Sequence, residues 1–293
     1  MGLGEWLSLG SAVVWAIAVV MFKRSGETFS PTALNLLKNI IAAVLLAATL
    51  PIVYGLTFPT FSATEWWIMV ASGLLGIAAA DNLYFAALRR LGASRTGIAS
   101  SLFSPSVIVL SYFLLGERLV AQQIAGFLLV VAAVILVSYR KDRKDIAAEE
   151  LRQGTLLAVT AVFLMALGIV IVKPVLELHP FLWIVEIRVV VGIIGIVLVG
   201  YARDRLHGLR LQLRLKHNWW LAGGASFFGS YLAMILWLGG YKYTQASVAS
   251  VLNETAAIFI VVLAWIFLGE SLNARKTCGV LLSFAGVLLM VSA

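Results

Sequence analysis

Ten runs of apolar residues set the terms on which this chain can fold: 4–22, 31–54, 65–88, 94–115, 122–138, 154–172, 180–201, 219–241, 246–268 and 276–292. Each is close to the roughly 20 residues a helix needs to cross a bilayer. In hydrocarbon the backbone must satisfy its own N–H and C=O groups, which leaves helices or closed barrels. Barrel strands alternate over about ten residues, and these runs do not alternate. The expected fold is an all-α membrane protein of ten transmembrane helices. Composition agrees: 61% of residues are hydrophobic and 12% charged, against about 45–50% and about 25% in soluble domains. A soluble enzyme and a disordered chain are excluded. The longer connections, 139–153 and 202–218, are polar but too short for a domain. The first run lacks a basic leader and a small-residue cleavage site, so it reads as a retained span.

Lys and Arg outnumber Asp and Glu by 22 to 14, a net charge of +8. In a soluble chain that surplus points to nucleic acid. Here the basic residues fill gaps between apolar runs, so nucleic acid is not an expected partner. The odd-numbered connections hold 17 of them, including Lys23, Arg24, Arg89, Arg90, Arg95, Arg152, Arg275, Lys276 and the clusters in 140–144 and 203–216. The even connections and both tails hold three, Arg118, Lys173 and Lys242. Positive loops face the cytoplasm, which puts both termini outside a cytoplasmic (inner) membrane. Trp66, Trp67, Trp219 and Trp220 fall at span ends, where amphipathic rings belong. The basic loops are also drawn to anionic membrane lipid.

Segment 92–119, GASRTGIASSLFSPSVIVLSYFLLGERL, aligns without a gap on 245–272, QASVASVLNETAAIFIVVLAWIFLGESL, at an offset of 153 residues. Eight of 28 positions are identical, among them Ala93/Ala246, Ser94/Ser247, Gly116/Gly269, Glu117/Glu270 and Leu119/Leu272. Lys23 and Lys173 close the first and sixth runs, and Ser30-Pro31 and His179-Pro180 open the next ones. The chain therefore divides into a first five-helix repeat (1–139), a cytoplasmic linker (140–153) and a second repeat (154–293). Five is odd, so the second repeat enters the membrane upside down. Inverted repeats are a transporter architecture with the binding site near the midplane. The A-S…L-G-E-x-L pattern, present in both halves, resembles the EamA family of the drug/metabolite transporter superfamily. That resemblance implies a ten-helix carrier of small metabolites, often amino acids or related solutes, frequently exported. It also implies cytoplasmic termini in many relatives, opposite to the orientation read from loop charge.

Charged residues within spans are costly, by about 2.5–3.5 kcal/mol on insertion scales, and functional by default. Lys38 and Asp81 both lie about 10 Å from the cytoplasmic face, and Arg188 and Glu254 about 12 Å from the outer face. Each couple is expected to pair, as gates or as ligands for the carboxylate and amine of a zwitterion. Snorkelling and plain helix pairing are the bland readings. Glu186 is about 200° around the helix from Arg188 and does not share its face. Asp81 or Glu254 is also a candidate proton carrier. Ser100, Ser101, Ser104 and Pro105 crowd one run, and proline marks a break tolerated where a helix lines a cavity. Trp15 lies near mid-depth, on a cavity wall or in the core, with Asn35 and Asn82 expected near the first charge pair. Candidate substrate-binding or gating residues are thus Trp15, Lys38, Asp81, Ser104, Arg188 and Glu254.

Rows of small residues, Ser72/Gly76/Ala80 and Gly279/Ser283/Gly286, are assigned to helix packing or a homodimer contact. The Gly-Glu pairs read as helix stops, their glutamates tied to loops through Arg118 or Arg275. There are no metal-ligand motifs and no P-loop, so no cofactor, metal or ATP drive is expected. Cys278 stands alone. The leading reading is a secondary transporter of small solutes. A lipid-type translocator is the alternative. A membrane enzyme acting on a lipid phosphate fits less well, since no acid–arginine–histidine cluster sits at one interface.

Overall fold

The computed structural model describes residues 1–25, 31–91, 96, 99–138, 148–202, 219–268 and 274–292. The motif residues Ala93, Ser94, Gly269, Glu270 and Leu272, the basic stretches within 139–147 and 203–218, and His207 and His217 lie outside the described residues. Among the described residues the protein is all-helical, with no strand.

We number ten helices. They are α1 (Leu3–Ser25), α2 (Pro31–Tyr54), α3 (Ala63–Gly73, Leu74–Ala79 and Ala80–Leu91), α4 (Phe103–Leu115) and α5 (Ala121–Ser138). Then follow α6 (Ala148–Leu178), α7 (Phe181–Ala202), α8 (Trp219–Ser226, Phe227–Leu232 and Ala233–Tyr243), α9 (Ala246–Glu254 and Ala256–Leu268) and α10 (Ala274–Val291). Five of them, α2, α3, α6, α7 and α8, are long and apolar enough to cross a membrane, and the other five carry apolar stretches of 10–17 residues. The outer surface is apolar: Ile52, Leu56, Trp67, Phe113 and Trp220 are largely exposed. Patches of that extent on a helical bundle belong against lipid, and the protein is a multi-pass membrane protein.

The two halves interlock rather than stand side by side. α1 packs on α8 and α9, and α6 packs on α3 and α4; α2 meets α7, α4 meets α9, and α5 meets α10. Exchanging α1–α5 with α6–α10 leaves that set of packings unchanged. Backbone irregularities repeat as well. The middle segments of α3 and α8, Leu74–Ala79 and Phe227–Leu232, are π-helical and stand 153 residues apart. The turn before α4 includes Leu102 and the one inside α9 is at Thr255, again 153 residues apart. Pro105 accounts for the first of these breaks; the second has no proline, and Thr255 instead donates its hydroxyl to Leu252 O at 2.6 Å.

Small residues set the closest approaches. Ser72 on α3 donates to the Gly168 carbonyl of α6. A Cβ on Gly126 of α5 would stand 2.7 Å from Gly286 O of α10, so both residues serve packing within the chain. Gly116 ends α4 in a left-handed conformation, φ 69°, and its N–H bonds Ser111 O, which glycine adopts without a Cβ penalty.

One face of the bundle gathers both chain ends and the even-numbered connections. Thr244 Oγ1 donates to Glu5 Oε1 at 2.5 Å, and Gln122 donates to Ser292 Oγ at 2.8 Å. Ser62 caps α3 in a reciprocal box with Glu65, whose other oxygen lies 2.7 Å from His179 Nε2. Lys173 donates to Tyr241 O and Thr244 O (2.9 Å each) and to Glu177. Lys242 donates to Leu176 O and His179 O (2.5 and 2.9 Å). Each lysine thus serves the unsatisfied carbonyls at the end of the other's helix, where cations are favoured. Glu117 accepts from Ala246 N, Ser247 N and Ser247 Oγ at 2.7, 2.9 and 2.7 Å. Its described partner is therefore the start of α9 in the opposite half, where the sequence pointed to Arg118 or Arg275. Free amides and the positive end of the helix dipole at a helix start favour a carboxylate there.

Candidate functional site

Lys38 on α2 and Asp81 on α3 come together, with Nζ 3.5 Å from Oδ2 and both side chains mostly buried. Asp81 follows the π segment of α3 by two residues, and that segment sets which way it faces. Asn35, one turn before Lys38, is fully buried. Asn39 donates to its carbonyl and side chain at 2.9 and 3.1 Å. Asn82 turns back into the π segment and donates to Ala78 O at 2.6 Å.

Arg188 and Glu254 form no ion pair, contrary to the expectation from their equal depth. The reason lies in the break at Thr255. Glu254 ends the first segment of α9 and faces the start of α4, where Ser104 offers a free backbone amide. Ser104 N and Oγ lie 3.3 and 3.4 Å from Glu254 Oε1. Glu254 therefore caps a helix of the other half across the two breaks. Ser104 is fully buried; Ser100 donates to the carbonyl of Thr96, four residues earlier, at 3.0 Å. The crowded serines thus divide between self-satisfaction and a contact across the halves.

Among the described residues Arg188 has no counter-charge. It is 3% exposed, its Nε has no acceptor, and none of the described ion pairs or hydrogen bonds includes it. Its one marked electrostatic neighbour is Tyr241 of α8. Tyr241 is fully buried, its ring edge-on to that of Trp237 with centroids 5.4 Å apart. Gly76, in the π segment of α3, faces the guanidinium: a Cβ there would lie 3.5 Å from Nη2. Ser230, in the π segment of α8, also has a buried, unpartnered hydroxyl, and Tyr231 beside it lies 2.6 Å from Thr49 of α2. π turns often mark functional positions in helices.

Trp15 is 39% exposed, which removes it from the packed core. Glu186 has a buried, unpartnered oxygen but no described interaction with Arg188. Two open hollows, of about 580 and 420 Å³, lie at the face that gathers the chain ends. Glu117 lines both, Lys173 and Lys242 the larger. Neither is lined by a candidate residue. Tyr241, Asn39, Ser230 and the Lys173–Lys242 pair were not singled out by sequence reasoning as site residues. Lys242, in the last turn of α8, was the one available signal, pointing to a C-terminal cap.

Interlocked helical halves, an apolar outer surface and buried charge between the halves define a membrane-embedded transporter rather than an enzyme. The chain belongs to the EamA-like transporter family, whose sequence profile matches twice, over residues 2–139 and 152–292. Two copies of the family unit thus lie in one chain. Among its relatives, YetK of Bacillus subtilis, described as an uncharacterized transporter, is 21% identical over 99% of this chain and 87% of that protein. YvbV of the same organism, also an uncharacterized transporter, is 31% identical over 41% of this chain and 38% of that protein. The Escherichia coli inner membrane transporter YhbE, likewise uncharacterized, is 23% identical over 46% and 42% of the two chains. A solved crystal structure, described only as that of a protein, superposes with a TM-score of 0.80 over 98% of both chains at 18% identity. At that identity the likeness is one of fold.

Proposed function

We propose that this protein is a secondary carrier of small metabolites, such as amino acids or related solutes, that works by alternating access and in the export direction. All ten helices span the cytoplasmic membrane as two inverted repeats, 1–139 and 154–293, joined by the linker 140–153, with both termini outside. Trp15, Lys38, Asp81, Ser104, Arg188 and Glu254 bind or gate the solute. The reading is carried by one observation: π turns and helix breaks recur at an offset of 153 residues, with the intramembrane acids Asp81 and Glu254 beside two of them. Supporting inversion, α1 begins, and α6 ends, at the face that gathers the chain termini. Irregular backbone in a membrane is sustained where it is enclosed by protein or lines a cavity, and broken helices at the repeat interface are where carriers hold their solutes.

The test is countertransport. Liposomes containing the purified protein are loaded with an unlabelled compound from a panel of amino acids and small organic acids. Accumulation of the same labelled compound from outside is then followed. The expected result is protein-dependent exchange of at least one compound without ATP. Exchange of none overturns the carrier reading.

A further inference from the structure

We infer that Arg188 is the anion-binding residue of the site and pairs with a single carboxylate on the transported solute. The inference rests on the carrier reading above and adds the chemistry of what is carried.

Four charged side chains bear on the comparison. Lys38 is neutralised by Asp81. Glu254 is held by the amide and hydroxyl of Ser104. Arg188 alone of these is enclosed with no acceptor on its Nε and no acid beside it. Glu186, two residues away, projects about 200° around α7. A guanidinium stays protonated in proteins, and a buried charge with no partner costs several kcal/mol. A fold that keeps such a group without a structural partner leaves its partner to arrive from outside.

The surroundings fit that role. The side chain facing the guanidinium is that of Gly76, which has none, and the π turn holding it presents backbone there. In the other half, Asn39 stands eight residues after Pro31, as Arg188 stands eight after Pro180. Asn39 is fully buried, and its Oδ1 also lacks a partner. The matched positions of the two repeats therefore hold one neutral amide and one cation. A site with one unmatched positive charge complements one negative charge. The planar fork of a guanidinium receives a carboxylate through two parallel hydrogen bonds. A phosphate dianion would leave a charge unmatched.

The experiment uses the full chain purified in detergent. Thermal unfolding is followed with C2–C6 monocarboxylates and α-amino acids, each beside its own amide, and with inorganic phosphate as a separate arm. A ligand that binds only the native state raises its melting temperature. At least one acid is expected to do so while its amide does not. Arg188→Met is expected to melt at or above the wild type without ligand, and to lose the acid-dependent shift. Arg188→Lys should keep a reduced shift. In liposomes, Arg188→Met should lower exchange of that acid about tenfold or more, equivalent to about 1.4 kcal/mol or more. The inference is overturned if amides stabilise as well as acids, if phosphate alone stabilises, if nothing stabilises, or if Arg188→Met keeps the shift. It is also overturned if unliganded Arg188→Met melts well below wild type, which would reveal a structural partner. Undiminished exchange by Arg188→Met sinks this inference and leaves the carrier reading standing. Absence of exchange by wild type sinks the carrier reading, while the melting arm still decides the role of Arg188.

Discussion

In the first half of the molecule Lys38 of α2 meets Asp81 of α3, and both charges are accounted for within the half. In the second half Arg188 of α7 and Glu254 of α9 go separate ways: Glu254 reaches a helix start in the opposite half, and Arg188 enters no described ion pair or hydrogen bond. The halves share a contact plan and a pattern of backbone irregularities, and they differ in the charged side chains placed on it. A repeated scaffold supplies the frame twice. A departure in charge on one side gives it a polarity that the frame lacks.

Substitutions at these positions would break or sharpen that contrast. The largest effect is expected from Lys38→Met, which strands Asp81 and should cost about 3 kcal/mol of stability. The double substitution Lys38→Met with Asp81→Leu should recover most of it, since a buried pair replaced whole is close to neutral. Thermal unfolding in detergent checks both. Equal losses in single and double variants would mean that the two charges do not act as a pair. Next is Glu117→Ala, which removes three hydrogen bonds at the start of α9 and should cost about 2 kcal/mol by the same measurement. Glu254→Ala should cost about 1 kcal/mol as a lost helix cap. Glu254→Gln should cost less, because Oε1 remains an acceptor for Ser104. A larger loss in the glutamine variant would show that the negative charge itself is needed. The smallest change in stability, about 0.5 kcal/mol or less, is expected for Gly76→Ala, whose new methyl meets Arg188 Nη2 at an ordinary 3.5 Å and whose helix propensity improves. Its effect should appear instead as reduced exchange in liposomes. By contrast, Gly73→Ala would press on the Arg188 carbonyl at 2.8 Å and serves as a control for backbone displacement.

Much of the scaffold was legible in the chain. Apolar run length gave the helices, and the polar punctuation around Gly116-Glu117 and Gly269-Glu270 gave the repeat. Equal depth correctly brought Lys38 to Asp81. The same argument failed for Arg188 and Glu254, because depth fixes height along a helix and not its angular phase. The break at Thr255 shifts that phase with no proline to announce it. The partner of Glu117 was hidden for another reason: it lies 130 residues away in the other half, and nothing local to the L-G-E motif points there. Trp15 was ambiguous because an apolar ring suits core, lipid and cavity alike; its exposure removes the first of these.

The π turn of α3 has a mechanical consequence. It holds one more residue per turn than the α-helix around it. If Leu74–Ala79 tightened into α geometry, the downstream helix would swing by about 100° and carry Asp81 off Lys38. The ion pair and the surplus residue therefore behave as a pawl and its tooth: while one is engaged the other cannot slip. A matching tooth, Phe227–Leu232, sits in the other half with no acid two residues beyond it; there the tie to α2 is the Tyr231 hydroxyl on Thr49, a neutral contact in place of an ion pair.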